Sequence, residues 1–356
     1  MILTHKVSLC LATAAIIGSA ARAPSAAAQD ADQLPIRVVV VTTFEVEQDG
    51  QDQGGEFRAW TERYPLPARI PFPQGYHELR YNPADQVLGI VTGEGTARAS
   101  ASITALGHDP RFDLSHAYWV VAGIAGIDPN VASIGSAAWA RYVVDGDLAH
   151  EIDAREIPPD WPTGYTPLGR STPYKRPVPP VRSINGQNVY ALNARLVDWA
   201  YNFTKDTQLP DDATLQQLRA PYPQDTARPP PVVLEGDTLA ASTFWVGGLL
   251  NTWAEDWVSY WTRGDGKFAT SAEEDAGIMQ AITFLAQVRR ADPARVLVLR
   301  TASNYTAPPP GTTAADLLRA EETGGLSGYA ESLEAAYAVA SPVVRYLATH
   351  PTPDSP

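Results

Sequence analysis

Residues 87–106 read VLGIVTGEGTARASASITAL, an apolar run that leads into two glycines and then into small residues. The first five residues are typical of a buried strand, and Thr96 to Gly107 is typical of a helix that ends at a glycine. A glycine turn between a strand and a helix presents backbone N–H groups that can bind an anion. Glu94 lies between the two glycines, so the same turn also carries a carboxylate that repels anions.

The rest of the chain repeats this alternation of strands and helices. Apolar runs predict strands at 36–43, 86–92, 117–121, 134–144, 232–234 and 295–299. Helical patterns follow at 96–107, 188–203, 212–220, 249–261, 273–290 and 328–348. Strands that alternate with helices favour an α/β fold whose sheet is largely parallel.

Composition excludes some classes of partner. The chain has 356 residues, 44% of them hydrophobic and 19% charged, which is typical of a globular protein. Its net charge of −13 argues against nucleic acid or an anionic membrane as a partner. The only cysteine is Cys10, and the histidines show no metal-ligand spacing, so we expect no metal and no cofactor.

The N-terminus has the features of a secretory signal peptide. His5 and Lys6 precede an apolar run at 7–21, and three alanines end at Ala28. We expect cleavage after residue 28 and a periplasmic or secreted mature protein. A membrane anchor is the alternative, but the run is shorter than the roughly 18–20 apolar residues of a span. No later run approaches that length, so no transmembrane segment is expected in the mature chain.

The mature chain, 29–356, reads as one domain with a proline-rich insertion at about 150–185. Trp161, Tyr165 and Tyr174 need burial, which favours an ordered excursion over a flexible linker. The aromatic stretch at 244–261 has near-helical spacing, and its tryptophans are expected in the core.

Four segments follow predicted strands and carry glycine, carboxylate or amide groups. They are TTFEVE at 42–47, TGEG at 92–95, AGIAG at 122–126 and RTASN at 300–304. Ligands of open α/β sheets bind at the carboxyl ends of strands. A glycine after a strand is commonly just a tight turn, but together the four segments predict one pocket.

These segments, with WARYVVDGDL at 139–148 and AEEDAG at 272–277, resemble the purine nucleoside permease family from about Pro35 to the C-terminal helix. That family in turn resembles the nucleoside phosphorylase and nucleosidase superfamily. The resemblance implies a three-layer α/β fold with a central mixed, largely parallel sheet between helices. It also implies purine nucleosides as ligands, and because superfamily relatives are commonly oligomers, it allows a homo-oligomer.

The resemblance assigns chemistry to three residues. Glu47 matches the acidic residue that activates water, although a solvated loop carboxylate would look the same. Glu274 matches the glutamate that binds the ribose hydroxyls, and residues 271–274 also form a capping-box pattern. Asn304 matches the position that recognises the base, where many relatives have an aspartate; an amide can hydrogen-bond N7 but cannot protonate it.

The other residues of the four segments are expected to contact the nucleoside. These are Phe44, Thr92, Gly93, Glu94, Gly95, Gly123, Ala125, Gly126, Arg300 and Ser303.

Glu94 bears on the type of reaction. A carboxylate in the second glycine turn would repel phosphate, which favours hydrolysis or binding without chemistry over phosphorolysis. Arg98, Arg141 and Arg300 argue the other way, although Arg141 or Arg300 could instead neutralise Glu94. We therefore expect a purine nucleosidase that hydrolyses the N-glycosidic bond. A nucleoside-binding protein of a transport system is the alternative, and a phosphate-dependent phosphorylase is the third possibility.

Overall fold

A computed structural model describes residues 33–46, 54–173, 188–324 and 328–350. The predicted signal peptide, Glu47 and Tyr174 lie outside these ranges. The strands are β1 Leu34–Pro35, β2 Val38–Thr42, β3 Ala68–Ile70, β4 Leu79–Asn82, β5 Val87–Val91, β6 Phe112–Asp113, β7 Tyr118–Ile127, β8 Ala137–Trp139, β9 Tyr142–Asp145, β10 Ala149–Glu151, β11 Tyr165–Pro167, β12 Val189–Ala191, β13 Val233–Glu235, β14 Asp237–Ala240, β15 Phe268–Ala272 and β16 Val296–Tyr305.

The helices of the described ranges are α1 Arg58–Arg63, α2 Thr96–His108, α3 Ala194–Thr204, α4 Ala213–Arg219, α5 Gly248–Trp261, α6 Asp275–Gln287, α7 Ala314–Gly324 and α8 Tyr329–Thr349. A short 3₁₀ helix spans Pro293–Arg295 and leads into β16.

A large mixed sheet forms the centre of the fold. Its main path runs in the order β12-β9-β14-β15-β7-β2-β5-β4-β3, while β16 pairs with β7 and β8, and β13 pairs with β8. Neighbouring strands β5, β2, β7 and β16 run parallel to one another. Their carboxyl ends therefore meet at one edge of the sheet.

Helices flank this sheet. Helices α2 and α6 pack side by side, and α8 packs on β7 and β16. Two glycines permit the α2–α6 contact, because a Cβ on Gly277 would lie 2.1 Å from Thr96 O and one on Gly107 would lie 2.2 Å from Leu285 Cδ1. The buried residues of β2 are VVVVT, as expected for a strand covered on both faces. The predicted α/β class, with a central mixed sheet between helices, is confirmed.

Two of the four segments that were predicted to follow strands lie within strands. AGIAG at 122–126 belongs to β7 and RTASN at 300–304 to β16, each ten residues long. These strands pair in parallel from Trp119 and Val296 as far as Ile127 and Tyr305. The prediction that AGIAG follows its strand was wrong because the glycines of β7 accommodate side chains that approach its backbone closely. RTASN has no glycine, and it continues β16 by pairing with β7.

The boundaries of other strands and helices differ from those predicted from the sequence. The run at 134–144 forms two strands, β8 beside β16 and β9 beside β14, because the chain changes partners near Arg141. Residues 188–203 begin with the edge strand β12, and α3 starts only after Asn193, whose side chain caps it. The sequence reading also missed β15.

The aromatic helix α5 lies in the core, as predicted. Trp253, Trp257 and Trp261 are buried, and Tyr165 from the hairpin β10–β11 stacks on Trp253 with ring centroids 4.5 Å apart. The first part of the proline-rich segment is therefore anchored on α5 by an aromatic contact.

Candidate active site

A cavity of about 520 Å³ lies at the edge where β2, β5, β7 and β16 end. Each of the four sequence segments contributes to its wall. The residues predicted for the site that line it are Phe44, Glu94, Ala125, Gly126, Glu274, Arg300, Ser303 and Asn304. The lining residues that the sequence reading did not select are Thr43, Glu56, Ile124, Phe244, Ser271, Ala272, Glu273 and Glu321.

Arg300 forms the buried ionic centre of this wall. Its guanidinium donates to Asp275 Oδ1 at 2.6 Å and to Glu274 Oε2 at 2.9 Å, and its Nη1 donates to Ile124 O at 3.1 Å. Burial disfavours the charged guanidinium, but Asp275 and Glu274 outweigh that effect, so the pKa of Arg300 is raised. The arginine is thus committed to carboxylates of its own chain.

Glu274 is the N-cap residue of α6, but it does not form the predicted capping box. Ser271 and Ala272 belong to β15, and no side chain caps the helix. Instead, Glu274 Oε1 accepts from Gly95 N at 3.2 Å. Burial raises the pKa of Glu274, while Arg300 opposes the rise.

Two N–H groups of the glycine turn before α2 donate to side chains of the protein. Gly95 N donates to Glu274, and Thr96 N donates to Ser242 Oγ at 3.0 Å. Gly93 and Gly95 have φ values of +85° and +84°, which explains the need for glycine at both positions. Neither glycine lines the cavity, and neither does Thr92, which is fully buried behind the turn.

Glu94 lies at the rim of the cavity rather than at its centre. Its side chain is 49% exposed, and its ionic partner is Arg98, with Nη1 4.0 Å from Oε2. The expectation that Arg141 or Arg300 neutralises Glu94 was wrong, because Arg141 pairs with Asp198 and Glu235. Arg300 likewise pairs with Glu274 and Asp275, so both arginines form ion pairs with carboxylates other than Glu94.

A β-bulge brings two consecutive residues of β16 to the cavity. The register with β7 shifts between Ala302 and Asn304, so one extra residue of β16 faces its partner. Both Ser303 and Asn304 line the cavity as a result. Ser303 Oγ donates to Asn304 Oδ1 at 3.1 Å, and Asn304 Nδ2 donates to Tyr305 O at 3.3 Å. In the part of the chain that the structure describes, the second N–H of this amide has no protein acceptor.

Glu56 is a buried carboxylate that sequence reasoning missed. Its Oε2 accepts from Thr43 N at 2.7 Å, Phe44 N at 3.2 Å and Thr43 Oγ1 at 3.1 Å, while Oε1 accepts from Ile124 N at 2.7 Å. Burial raises the pKa of Glu56 to about 7, with Arg300 acting against the rise. Residue 56 lies in a polar, glycine-interrupted segment, so no local pattern distinguishes it.

Glu273 adds another carboxylate to the wall. Its side chain is partly buried. Burial is the main reason that its pKa is raised to about 7, and the negative charges of Glu274 and Glu94 add to the rise. The aromatic rings of Phe44 and Phe244 lie on the lining beside these acids. The cavity therefore combines an acidic wall with apolar ring faces.

One further predicted residue of the described chain, Gly123, does not line the cavity. Gly123 lies directly behind it, where a Cβ would meet Glu56 Oε1 at 2.5 Å and Arg300 Nη1 at 2.6 Å. Glu47 lies outside the described residues. Among those residues, no group of three or more His, Cys, Asp or Glu is arranged to hold a metal ion.

Solved structures share this fold. A 5′-methylthioadenosine/S-adenosylhomocysteine nucleosidase from Streptococcus pneumoniae aligns with a TM-score of 0.51 at 12% identity, over 88% of this chain and 99% of its own. The corresponding nucleosidase from Colwellia psychrerythraea gives a TM-score of 0.51 at 14% identity, over 88% and 94%. At such low identity the likeness is one of fold alone.

Sequence comparison identifies the family. A purine nucleoside permease of Candida albicans is 28% identical over 301 residues, covering 83% of this chain and 72% of that protein. In the part of the chain that the structure describes, no helix has both the length and the apolar character of a membrane span. The family model for purine nucleoside permease matches residues 35–352. The chain therefore belongs to the purine nucleoside permease family.

Proposed function

We propose that this protein binds purine nucleosides in the cavity and hydrolyses their N-glycosidic bond. Family membership and the nucleosidase-like fold support a purine nucleoside as the ligand. The aromatic rings of Phe44 and Phe244 suit the flat face of a base. Asn304 offers an amide N–H to N7 or to a neighbouring acceptor on the purine.

Hydrolysis is favoured over phosphorolysis because the two groups that could bind a phosphate are already bound to a carboxylate of the protein. Gly95 N–H and the Arg300 guanidinium both bind Glu274. Two like charges 4 Å apart repel by about 4 kcal/mol at an effective dielectric constant of about 20. A phosphate in this position would have to displace or protonate Glu274, whereas water meets no such barrier.

Glu274 can serve the ribose at the same time. Among the described residues, each of its oxygens accepts one hydrogen bond, and a carboxylate has about four acceptor positions. Two positions are left for the ribose hydroxyls. Its negative charge also stabilises positive charge that develops on the sugar as the bond to the base breaks.

In the proposed reaction the C1′–N9 bond breaks and its electron pair leaves with the purine. The oxygen of water bonds to C1′, a glutamate takes a proton from that water, and the purine takes its proton from solvent because Asn304 has none to give. From the sequence, Glu47 is the glutamate expected in this role.

A non-catalytic nucleoside-binding protein is the second candidate. Asn304 favours it, since an amide at the base position supplies no general acid. We also propose that the protein is exported after cleavage near residue 28. Edman degradation of protein purified from the culture medium or periplasm tests this, and an intact Met1 in that material would contradict it.

The deciding experiment incubates purified protein with inosine and adenosine, with and without phosphate, and follows products by chromatography. Free base and ribose without phosphate are the expected products. Ribose 1-phosphate formed only with phosphate would contradict hydrolysis. Saturable binding without release of base would assign the protein to the binding class.

A further inference from the structure

We propose that Glu56 is the carboxylate that takes the proton from the attacking water. This inference rests on the hydrolysis proposed above and assigns its general base to a different residue from Glu47. Glu56 lines the cavity and is only 5% exposed. Its carboxylate bridges the backbone after β2, at Thr43 and Phe44, and the backbone of β7, at Ile124.

The hydrogen bonds fix the position of Glu56. Both carboxylate oxygens accept from backbone N–H groups, and two of those bonds are 2.7 Å long. The donors belong to two central strands or follow directly from them, so the carboxylate cannot move without moving the sheet. A general base must be held within hydrogen-bond reach of the proton that it removes, and rigid elements achieve this best.

The same hydrogen bonds favour the ionised form. Every hydrogen-bond partner of Glu56 in the described ranges is an N–H or O–H donor, so none of these partners would accept a hydrogen bond from a protonated carboxyl. The titratable or charged groups that face it are Arg300, Glu274 and Tyr329. Burial brings its pKa to about 7, in the range where a base works at neutral pH.

Glu56 and Glu274 are suited to different tasks. Glu274 is held in an ion pair with Arg300, and its remaining acceptor positions suit hydroxyl groups. Among the described residues, Glu56 Oε1 accepts one hydrogen bond, from Ile124 N, which leaves a second acceptor position on that oxygen. In the step proposed here, the lone pair at that position takes one proton from water, the water oxygen bonds to C1′, and the purine leaves with the C1′–N9 electron pair. Glu56 then returns the proton to solvent.

The test compares Glu56→Gln and Glu47→Gln, with Glu62→Gln as the matched control. Glu62 belongs to the same segment, is exposed and pairs only with Arg58 among the described residues. Inosine hydrolysis is measured across pH, and inosine binding is measured separately by calorimetry. We expect Glu56→Gln to lower kcat by about 10²–10⁴-fold with binding retained. It should also abolish the acid limb of the pH profile, while Glu62→Gln stays at the wild-type rate.

A second variant keeps the test decisive if Glu56→Gln does not fold. Thr43→Val removes one hydrogen bond to Glu56, that from Thr43 Oγ1, and leaves the carboxylate in place. Because that bond stabilises the ionised form, its loss should shift the acid limb to higher pH. A purely structural role for Glu56 would leave the limb where it was.

The outcomes separate the two proposals. If the wild type hydrolyses inosine and folded Glu56→Gln does so within a factor of about three, Glu56 is not the base and hydrolysis still stands. Loss of the acid limb in Glu47→Gln, with the limb kept in Glu56→Gln, would assign the base to Glu47. If wild-type protein binds inosine without releasing base, both proposals are overturned.

Discussion

The backbone N–H of Gly95 donates to Glu274 Oε1 at 3.2 Å, although 179 positions separate the two residues in the chain. The glycine turn that begins α2 is therefore occupied by a carboxylate of the protein itself. Glu274 also neutralises Arg300. One side chain thus binds both an N–H of the turn and the guanidinium of Arg300, two groups that could otherwise bind an anion.

Substitution of the two glutamates should distinguish their roles. Glu94→Gln changes a half-exposed rim residue and should leave phosphate-independent turnover within about threefold of wild type. Glu274→Gln removes charge-assisted hydrogen bonds and should lower kcat/KM for inosine about 10–100-fold. Both variants are assayed for base release with and without phosphate. Phosphate-dependent release by Glu94→Gln alone would contradict this assignment.

Asn304→Asp should introduce the missing general acid. An aspartate here would be buried in a cavity wall that also holds Glu273 and Glu274, and both burial and their negative charge should raise its pKa. It could then donate a proton to N7, so we expect kcat for inosine to rise by up to about 10²-fold. Asn304→Ala, which can neither donate nor accept, is the control and should lose activity. A drop in kcat for the aspartate variant would argue that N7 protonation does not limit the rate.

Local sequence patterns were enough to predict two of the strands that end at the cavity and the helix that follows one of them. The β-branched run of β2, the apolar run of β5 and the small residues of α2 are all readable within short windows. The glycines of β7 were misread, because a glycine after an apolar run is usually a turn. Gly123 instead makes room for Glu56 and Arg300, and neither contact is visible within a local window.

Glu56 was not selected from the sequence for a similar reason. Glu56 binds Ile124, 68 positions away, and its own surroundings in the sequence are polar and irregular. A capping-box pattern likewise suggested a local partner for Glu274, but β15 continues through residue 272 and the side chain turns to Gly95 and Arg300. The partners of Glu56 and Glu274 are therefore distant in the sequence, and no short window of residues could predict them.

The contact between α2 and α6 should tolerate only glycine at position 277. Alanine is the better helix former by about 1 kcal/mol, but its Cβ would lie 2.1 Å from Thr96 O, which is backbone. The clash should outweigh helix propensity and destabilise the fold by about 1–3 kcal/mol. Gly248→Ala in α5 is the matched control, since a Cβ at that position would meet no other part of the described chain within 4 Å. Thermal unfolding that gives equal Tm values for both variants would contradict the clash.

A buried acid near the site should make stability depend on pH. Burial raises the pKa of Asp128 to about 7, a hydrogen bond from Asn130 opposes the rise, and the charge of Glu255 adds to it. Between about pH 4 and pH 7 the folded chain keeps a proton that the unfolded chain releases. Raising the pH through this window therefore lowers the free energy of unfolding, by at most about 1.4 kcal/mol per pH unit for this proton.

Asp128→Asn tests that contribution. The amide can still accept from Asn130 and Asn251, and it no longer titrates. The free energy of unfolding is measured by urea unfolding at pH 5 and at pH 7.5. We expect it to fall between these pH values by about 1–3 kcal/mol less in the variant than in wild type. Asp225→Asn, at a side chain that is 95% exposed, is the control and should follow the wild-type curve. If Asp128→Asn also follows that curve, Asp128 is already ionised in the folded protein at pH 5 and contributes nothing to the pH dependence of stability.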